Sequence, residues 1–322
     1  MLETRYNPLT DEWVMVSSSR SARPVLPSEN ACPLCPGVLE LEKDYDLATF
    51  ENRFPALKVD APDVVQESEL LKKIKSKGVC EVVMYTSEHD SALPRMSLNQ
   101  IEKLIFVWRD RTFEISRNDF IKYIFLFENR GKEVGATLSH PHGQLYAFPF
   151  LPKRIQVKVN SMRGYYHKNK KCVLCDIVEE EIEKNERIIY QNESFIAIVP
   201  FYARFPYEVH IYPKRHVTSV LDLVNKEIED FARALKVVTM KYDKLFDQEF
   251  PYMMCFFQKP FNLNEVFDDF FHFHVEFYPP KRDKDKIKWM ASVETGTWNF
   301  INPSLPKEVA DRLKSIEVNL DD

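Results

Sequence analysis

The sequence predicts an α+β fold made of two tandem halves, each an antiparallel sheet with a packed helix, followed by a C-terminal extension. Three observations support this fold class: an internal repeat, one helical pattern in each half, and apolar runs of strand character on both sides of each helix. We expect the first half at residues 1–160, the second half at 161–280 and the extension at 281–322.

The internal repeat consists of three landmarks that occur in the same order in both halves. They are a Cys-x-Leu-Cys, a Glu-Val-x-Met/Ile-Tyr-x-x-x-His and a His-x-His. The landmarks begin at Cys32, Glu81 and His140 in the first half and at Cys172, Glu208 and His272 in the second. Because order and spacing repeat together, a duplication is favoured over chance.

Secondary-structure signals are arranged alike in the two halves. Helical patterns cover 97–116 and roughly 225–246, and the first of them opens with the capping-box sequence Ser97-x-x-Gln100. Apolar runs typical of strands cover 122–128, 142–150, 187–199 and 270–278. A proline-bearing segment at 151–166 joins the halves, and two prolines before the charged run 281–288 mark entry into the extension.

Composition and charge narrow the function classes. The chain has 322 residues, a formal net charge of -5 and a pI near 6.0, so it lacks the basic field that a nucleic-acid binder needs. No run approaches the roughly 18 apolar residues of a membrane-spanning helix, and the first residues carry charges where a signal peptide needs an apolar stretch. We therefore expect a cytoplasmic protein that binds neither nucleic acid nor membrane.

The two Cys-x-x-Cys motifs indicate metal ligation. Tetrahedral zinc needs two more nitrogen or sulfur ligands beyond such a pair, and the repeat supplies two histidines in each half. The predicted sites are Cys32, Cys35, His89 and His140 in the first half, and Cys172, Cys175, His216 and His272 in the second. Two alternatives stay open for these cysteines: reduced thiols without metal, or redox pairs, although no thioredoxin-like βαβ pattern follows either motif. We expect one or two zinc ions per chain.

The run from His140 to Gln144 carries the candidate chemistry. Side chains at i and i+2 of a strand share a face, so zinc can hold His140 while His142 reacts beside it. A neutral imidazole attacks phosphorus near pH 7, and the phosphoryl-histidine that forms can be discharged onto a second phosphate. Gln144 can donate a hydrogen bond to a phosphoryl oxygen, and Gly143 lets the backbone approach it. We therefore predict that His142 is the nucleophile of a nucleotidyltransferase.

The residues around His142 favour a reactive role over a structural one. A His-x-His can also supply two metal ligands, or one structural histidine with an exposed neighbour. Here, however, polar segments that contain glycine precede the motif, at 129–131 and 135–137, and Gly-Gln follows it. In the second half, His274 is followed by Val275 and Glu276 instead, so we expect that half to be catalytically silent.

These residues resemble those of the galactose-1-phosphate uridylyltransferase family, a duplicated branch of the histidine-triad superfamily. The resemblance covers nearly the whole chain and is carried by 5–10, 51–54, 127–131, 140–144, 250–252 and 277–280. It implies two histidine-triad-like halves. It also implies exchange of UMP between UDP-glucose and galactose 1-phosphate, with UDP-galactose as the other nucleotide sugar, through a uridylylated His142 in galactose metabolism.

The resemblance further implies which residues bind substrate. Contacts to the nucleotide sugar are expected from Arg20, Arg23, Asn52, Asn129, Gly135, Thr137 and Gln144. Lys288 and Glu294 are expected to reach the active site of the other subunit of a homodimer. The apolar side chains of Trp289, Met290 and Trp298 in the same region are expected to dock on that partner subunit.

One departure from the family pattern affects two expectations: which metal is bound, and which nucleobase the nucleotide substrate carries. Some family members hold a structural iron with one Glu and three His, but the matching positions here include Lys158 and Phe257, so that site cannot form. The second Cys/His set instead resembles relatives with two zinc sites, some of which act on adenylyl sugars. Two alternative functions stay open: a nucleotide-sugar phosphorylase that uses inorganic phosphate, and a non-catalytic, zinc-stabilised binding module with structural histidines.

Overall fold

The structure is a computed structural model that describes residues 1–22, 32–38, 41 and 43–321. The strands are β1 (Leu2–Asn7), β2 (Glu12–Ser17), β3 (Ala48–Glu51), β4 (Lys73–Lys75), β5 (Val79–Met84), β6 (Tyr123–Arg130), β7 (His142–Phe148), β8 (Ile188–Gln191), β9 (Phe195–Ile198), β10 (Val209–Pro213), β11 (Tyr252–Phe257), β12 (His274–Tyr278), β13 (Lys281–Asp283) and β14 (Lys286–Ile287). The α-helices are α1 (Leu98–Ser116), α2 (Lys153–Asn169), α3 (Val173–Lys184), α4 (Asn225–Leu245), α5 (Ser292–Thr297) and α6 (Pro306–Lys314).

One nine-stranded antiparallel sheet runs through both halves, in the order β3-β5-β7-β6-β11-β12-β10-β9-β8. The first half supplies β3, β5, β7 and β6, and the second half supplies the remaining strands. The halves meet where β6 pairs with β11, with Asn129 opposite Met253 and Glu128 opposite Met254. The predicted α+β class is confirmed. The sequence did not predict that the two sheets join edge to edge.

The large sheet buries both of its faces. On one face, α1 and α4 pack against each other and share a core with Leu145 and Ala147 of β7. On the other face, apolar side chains of α2 and α3 share a core with Tyr146. Alternate residues of a strand point to opposite faces, so β7 contributes to both cores. The same alternation places His142 and Gln144 on the face of Tyr146.

Both predicted helices are confirmed, as α1 and α4. The side chain of Ser97 caps α1 and accepts a hydrogen bond from the backbone N–H of Gln100 at 3.2 Å. The side-chain amide of Gln100 donates to the carbonyl oxygens of Tyr85, at 2.9 Å, and Asp46, at 3.1 Å. These contacts tie the start of α1 to the residue that follows β5.

Several segments differ from the sequence-based expectation. The joining segment 151–166 lies mostly in α2, because Pro152 stands just before the first turn, where a proline costs no helical hydrogen bond. The run 187–199 is two strands, since Asn192 accepts hydrogen bonds from the backbone of Ser194 and Phe195 and reverses the chain between β8 and β9. The run 270–278 pairs in the sheet only from His274 onward. Helix α3 was not predicted from the sequence.

The remaining elements flank the large sheet. β1, β2 and β4 form a separate three-stranded sheet, and β13 and β14 form a hairpin at the start of the C-terminal extension. Helix α6 of the extension packs against β8 and α4. Among the described residues, no helix has the length and apolar character needed to cross a membrane.

Candidate active site and metal centres

His142 is the first residue of β7 and stands opposite Met84 of β5. Its Nδ1 lies 2.8 Å from the backbone carbonyl oxygen of His140. Because a carbonyl oxygen can only accept a hydrogen bond, this contact places a proton on Nδ1, and the lone pair of the neutral imidazole is then on Nε2. The His142 side chain is partly exposed, whereas His140 is buried. The predicted nucleophile is thus held in one tautomer at the start of a paired strand.

A cavity of about 190 Å³ opens beside His142 and gathers most of the predicted substrate-binding residues. Its lining includes Arg20, Asn129, Gly135, Thr137, His142 and Gln144, together with Phe127, Ala136 and Tyr146. Tyr146 was not among the residues predicted from the sequence. A signal for it was present, because Tyr146 continues the i+2 spacing of His142 and Gln144 along β7.

Two glycines shape the loop that forms one wall of this cavity. Gly131 and Gly135 have φ angles of 95° and 77°, which lie in the region that side chains other than glycine rarely adopt. At Gly131, a Cβ would also lie 2.6 Å from the Cβ of Pro251. The backbone at both positions therefore favours glycine.

Arg20 and Asn52 were both expected to contact substrate, but only Arg20 lines the cavity. The guanidinium of Arg20 donates to the hydroxyl of Tyr146 at 2.9 Å and to the carbonyl oxygen of Phe54 at 3.0 Å. Asn52 does not line the cavity, and its side-chain oxygen accepts a hydrogen bond from the N–H of Phe54 at 2.9 Å. Asn52 therefore shapes the segment that holds Arg20. Arg23 lies outside the described residues.

Lys288 and Glu294, the other predicted substrate contacts, bind each other. The Nζ atom of Lys288 lies 2.8 Å from Oε1 of Glu294, and both side chains are buried. Neither residue lines a cavity that contains His142. Their contact with the active site of a second subunit stays a prediction.

A larger cavity, of about 410 Å³, adjoins the first, and His142 lines both. Its wall is charged: Arg95 pairs with Glu249 at 3.0 Å, and Arg130 forms two hydrogen bonds with Asp243, at 2.7 and 2.9 Å. Sequence reasoning missed Arg95 and Glu249. They are 154 positions apart, so no local spacing connects them.

The first predicted metal site is assembled as expected, by Cys32, Cys35, His89 and His140, with donor atoms within 4.8 Å of one another. The sulfur of Cys35 lies 3.2 Å from Nδ1 of His89 and 3.5 Å from Nδ1 of His140. The opposite ring nitrogens, Nε2, contact the hydroxyl of Ser139 at 3.1 Å and the carbonyl oxygen of Thr86 at 2.8 Å. Metal-binding histidines are typically oriented by such outer hydrogen bonds.

The second predicted metal site repeats this arrangement with Cys172, Cys175, His216 and His272. The sulfur of Cys175 lies 3.3 Å from Nδ1 of His216 and 3.4 Å from Nδ1 of His272. The Nε2 atoms contact the carbonyl oxygens of Asp268 at 2.7 Å and Pro213 at 3.0 Å. The internal repeat therefore extends from the sequence to the orientation of each imidazole ring.

The donor chemistry of both clusters fits tetrahedral zinc, which two sulfurs and two imidazole nitrogens commonly hold in structural sites. Hydrogen bonds from Cys175, and then from His216 and His272, lower the pKa of the Cys172 thiol, whereas the contact with Cys172 raises the pKa of Cys175, so one thiolate of the pair is favoured. In the first cluster, burial lowers the pKa of His140 and favours the neutral ring that can act as a ligand.

His274 repeats the orientation of the predicted nucleophile, but its second nitrogen is engaged within the chain. Its Nδ1 lies 2.8 Å from the carbonyl oxygen of His272, and its Nε2 lies 2.7 Å from Nζ of Lys158 on α2. Lys158 also pairs with Glu276, and the ring of Phe257 stacks on His274 at 5.0 Å. Burial and the Lys158 ammonium lower the pKa of His274 to about 4. The helix that joins the halves thus closes the second-half counterpart of the active site.

Comparison with known proteins covers nearly the whole chain. Residues 1–152 match the family described as galactose-1-phosphate uridyl transferase, N-terminal domain, and residues 158–296 match the corresponding C-terminal domain. A galactose-1-phosphate uridylyltransferase of Thermotoga maritima is 63% identical over 321 residues, which cover 99% of this chain and 100% of the relative. That of Kluyveromyces lactis is 34% identical and covers 97% of this chain and 92% of its own length.

Solved structures share the fold over the same extent. One described as the structure of uridylyltransferase has a TM-score of 0.88 at 33% identity and covers 97% of both chains. An ADP-glucose phosphorylase from Arabidopsis thaliana with bound ADP-glucose has a TM-score of 0.76 at 25% identity, over 99% of this chain and 100% of that one. Since the sequence match and the fold both extend over the two halves, the chain belongs to the galactose-1-phosphate uridylyltransferase family.

Proposed function

We propose that this protein transfers a uridylyl group between UDP-glucose and galactose 1-phosphate through a covalent intermediate on His142. The observation that carries the proposal is the placement of His142. Its Nδ1 contacts the carbonyl oxygen of His140, and its ring lines a cavity together with Arg20 and Gln144. One cation and several neutral donors suit the binding of a phosphoryl group. The 63% identity to the T. maritima uridylyltransferase supports the same activity.

Each half-reaction forms one bond to phosphorus and breaks another. First, the Nε2 lone pair of His142 attacks the α-phosphorus of UDP-glucose, and the bond to the bridging oxygen breaks with release of glucose 1-phosphate. A phosphate oxygen of galactose 1-phosphate then attacks the same phosphorus, UDP-galactose forms, and the electron pair of the P–N bond returns to His142. The proton stays on Nδ1 throughout and keeps its hydrogen bond to the carbonyl oxygen of His140, so the imidazole needs no external base.

The residues around His142 stabilise the phosphoryl oxygens. The amide of Gln144, on the same face of β7, donates to an oxygen that gains charge in the transition state. Arg20 supplies a positive charge and is held in place by Tyr146 and Phe54. The loop with Gly135 also lines this cavity, and the Thr137 side chain adds a hydroxyl group there.

We further propose one zinc ion in each Cys/His cluster. Bound zinc would supply a rigid four-coordinate cross-link between segments that are distant in sequence. In the first cluster the consequence reaches the active site. The carbonyl oxygen of His140 accepts a hydrogen bond from Nδ1–H of His142, so immobilising His140 also fixes the nucleophile.

We also propose a homodimer in which the extension, 281–322, contacts the partner. Trp289, Met290 and Trp298 lie close together in sequence, and 73%, 48% and 54% of their surface is exposed. Grouped exposed apolar side chains of this size are typical of association surfaces. Lys288 and Glu294 lie in the same segment, which would place them at the partner's active site. In this arrangement residues 1–160 and 161–280 are the catalytic and the silent histidine-triad-like halves.

Initial rates should give parallel double-reciprocal lines when UDP-glucose is varied at several fixed concentrations of galactose 1-phosphate. One histidine must be loaded by the donor, and the first product must leave, before the acceptor reacts. Steady-state kinetics in both directions measure this. Intersecting lines would indicate direct transfer between two bound substrates and would contradict the covalent intermediate.

The ADP-glucose phosphorylase structure favours one second candidate function, transfer of a nucleotidyl group to inorganic phosphate. The covalent step on His142 would be shared. Rates with UDP-glucose or ADP-glucose as donor, and with galactose 1-phosphate or phosphate as acceptor, separate the two functions. We expect UDP-glucose with galactose 1-phosphate to be the fastest pair. Failure of both labelled nucleotide sugars to label the protein would indicate a zinc-stabilised binding module instead.

Replacing Gln144 with alanine should lower kcat by roughly one hundredfold, the effect of removing one preorganised donor to a developing charge. The affinity for the nucleotide should change less, because the hydrogen bond strengthens as the transition state forms. Gln156→Ala on α2 is a matched control, since it makes the same truncation away from the cavity. Equal losses in kcat and in nucleotide binding would show that Gln144 holds ground state and transition state alike.

A further inference from the structure

A buried carboxyl group lies behind the nucleophile, on the opposite face of the sheet. Phe127 pairs with Gln144, so the next residue of β6, Glu128, points to the face covered by α1 and α4. Oε1 of Glu128 accepts a hydrogen bond from the hydroxyl of Tyr252 at 3.1 Å, and Oε2 has no hydrogen-bond partner among the described residues. Burying an oxygen without a partner costs free energy. Glu128 also lines the larger cavity that reaches His142.

The hydroxyl of Tyr85 connects Glu128 to the catalytic strand. A Cβ at Gly143 would lie 2.5 Å from this hydroxyl oxygen, so the phenol packs directly on the backbone of the residue after the nucleophile. Burial and then the nearby Glu128 carboxylate raise the pKa of Tyr85 well above its ordinary value. The backbone N–H of Tyr85 donates to the carbonyl oxygen of Pro141 at 3.2 Å. Tyr85 therefore contacts the chain on both sides of His142.

We propose that Tyr85 and Glu128 are positioning residues for the transfer reaction. The Tyr85 hydroxyl fills the space that Gly143 leaves open, and the Glu128 carboxyl group lies near the phenol. The backbone at Gly143 is thereby fixed, and with it the directions of the two side chains that flank it, His142 and Gln144. Tyr85 and Glu128 act through β7 and not on the reacting atoms.

The main test is Tyr85→Phe, which removes only the hydroxyl. In the described structure this hydroxyl has no hydrogen-bond partner, so its loss should leave stability unchanged or raise it. If it positions β7, kcat for exchange between UDP-glucose and galactose 1-phosphate should fall about tenfold, with KM within about twofold and the unfolding midpoint not lowered. A lower kcat with KM and the unfolding midpoint maintained would not follow from a purely structural role.

Tyr123→Phe is the matched control for this variant. The Tyr123 hydroxyl is also buried and without a hydrogen-bond partner among the described residues. Tyr123 stands opposite Phe148, at the end of β7 that is remote from His142. We expect its kcat to stay within about twofold of that of the wild type, the usual range for a change away from the site.

Two substitutions of Glu128 give an independent readout. Burial raises the pKa of Glu128 to about 7, so the protonated acid is well populated near neutral pH, and the amide N–H of glutamine can replace its O–H donor. Glu128→Gln should therefore keep kcat within about threefold of the wild-type value. In Glu128→Leu, kcat should fall about tenfold, while KM and zinc content stay unchanged. If the leucine variant does not fold, Tyr85→Phe decides alone.

A kcat for Tyr85→Phe that matches Tyr123→Phe would overturn the positioning role, as would a loss confined to KM. The inference rests on the proposed function, and the wild-type rate tests that function separately. A wild type without uridylyl exchange refutes the proposed function itself. A wild type that exchanges, together with an unimpaired Tyr85→Phe, refutes only the role of Tyr85 and Glu128.

Discussion

Replacing His142 with asparagine is expected to abolish uridylyl exchange and to leave the fold and both Cys/His clusters intact. An amide can neither attack phosphorus nor carry the uridylyl group, so the loss is that of a whole covalent step. The residual rate should be below about a thousandth of the wild-type rate. Exchange of labelled glucose 1-phosphate into UDP-glucose measures the first half-reaction by itself. Zinc content and the unfolding midpoint show whether the fold is kept.

His274→Asn is the matched control for this variant. His274 occupies the equivalent place in the second half, but its Nε2 contacts Lys158 within the chain. Per folded molecule, we expect the control to retain exchange and to be labelled by UDP-glucose through an acid-labile, base-stable bond. More than about a thousandth of wild-type exchange in His142→Asn, the scale of a lost covalent step, would refute the nucleophile assignment. Equal losses in the two variants would refute it as well.

Replacing Cys172 and Cys175 together with serine should lower the zinc content from about two to about one per chain and destabilise the fold by several kcal/mol. Structural zinc binding is coupled to folding, because the ligands come together only in the native state. The second cluster joins the start of α3 to His216 and His272, so its loss should loosen the second half. Molecules that remain folded should still form the adduct on His142.

Metal analysis of the purified protein and denaturant unfolding measure these effects. Cys255→Ala is the control for loss of a half-buried thiol, because Cys255 belongs to neither cluster; it should keep both zinc ions. One zinc per chain in the wild type, with the same content in the double serine variant, would show that the second cluster holds no zinc.

Local patterns predicted the elements whose signals lie within one segment. The helices α1 and α4 followed from apolar periodicity and, for α1, from the capping residue Ser97. The segment at 151–166 was predicted only as a connection, because Pro152 is typical of a loop, although Ile155, Val159 and Met162 have helical spacing and α2 buries them. A single proline is weaker evidence for a loop than apolar spacing over several helical turns is for a helix.

Much of the candidate site also followed from short-range spacing. His142 and Gln144 were expected on one face because a strand has a period of two, and the structure adds Tyr146 by the same rule. The ion pair of Arg95 with Glu249 could not be predicted in this way, since it joins residues 154 positions apart. The contact of the Tyr85 hydroxyl with Gly143 depends on the register between β5 and β7, which no local pattern specifies.

The sequence by itself determined the duplication, the two Cys/His sets and the identity of the candidate nucleophile, because each is written in residue types at short or repeated spacing. Only the tertiary structure decided that β6 pairs with β11, so that one sheet joins the halves. It also decided that α2 brings Lys158 onto His274, which distinguishes the second half from the first. Both outcomes depend on which surfaces pack together, and packing is set by the shape and burial of the whole chain, not by neighbouring residues.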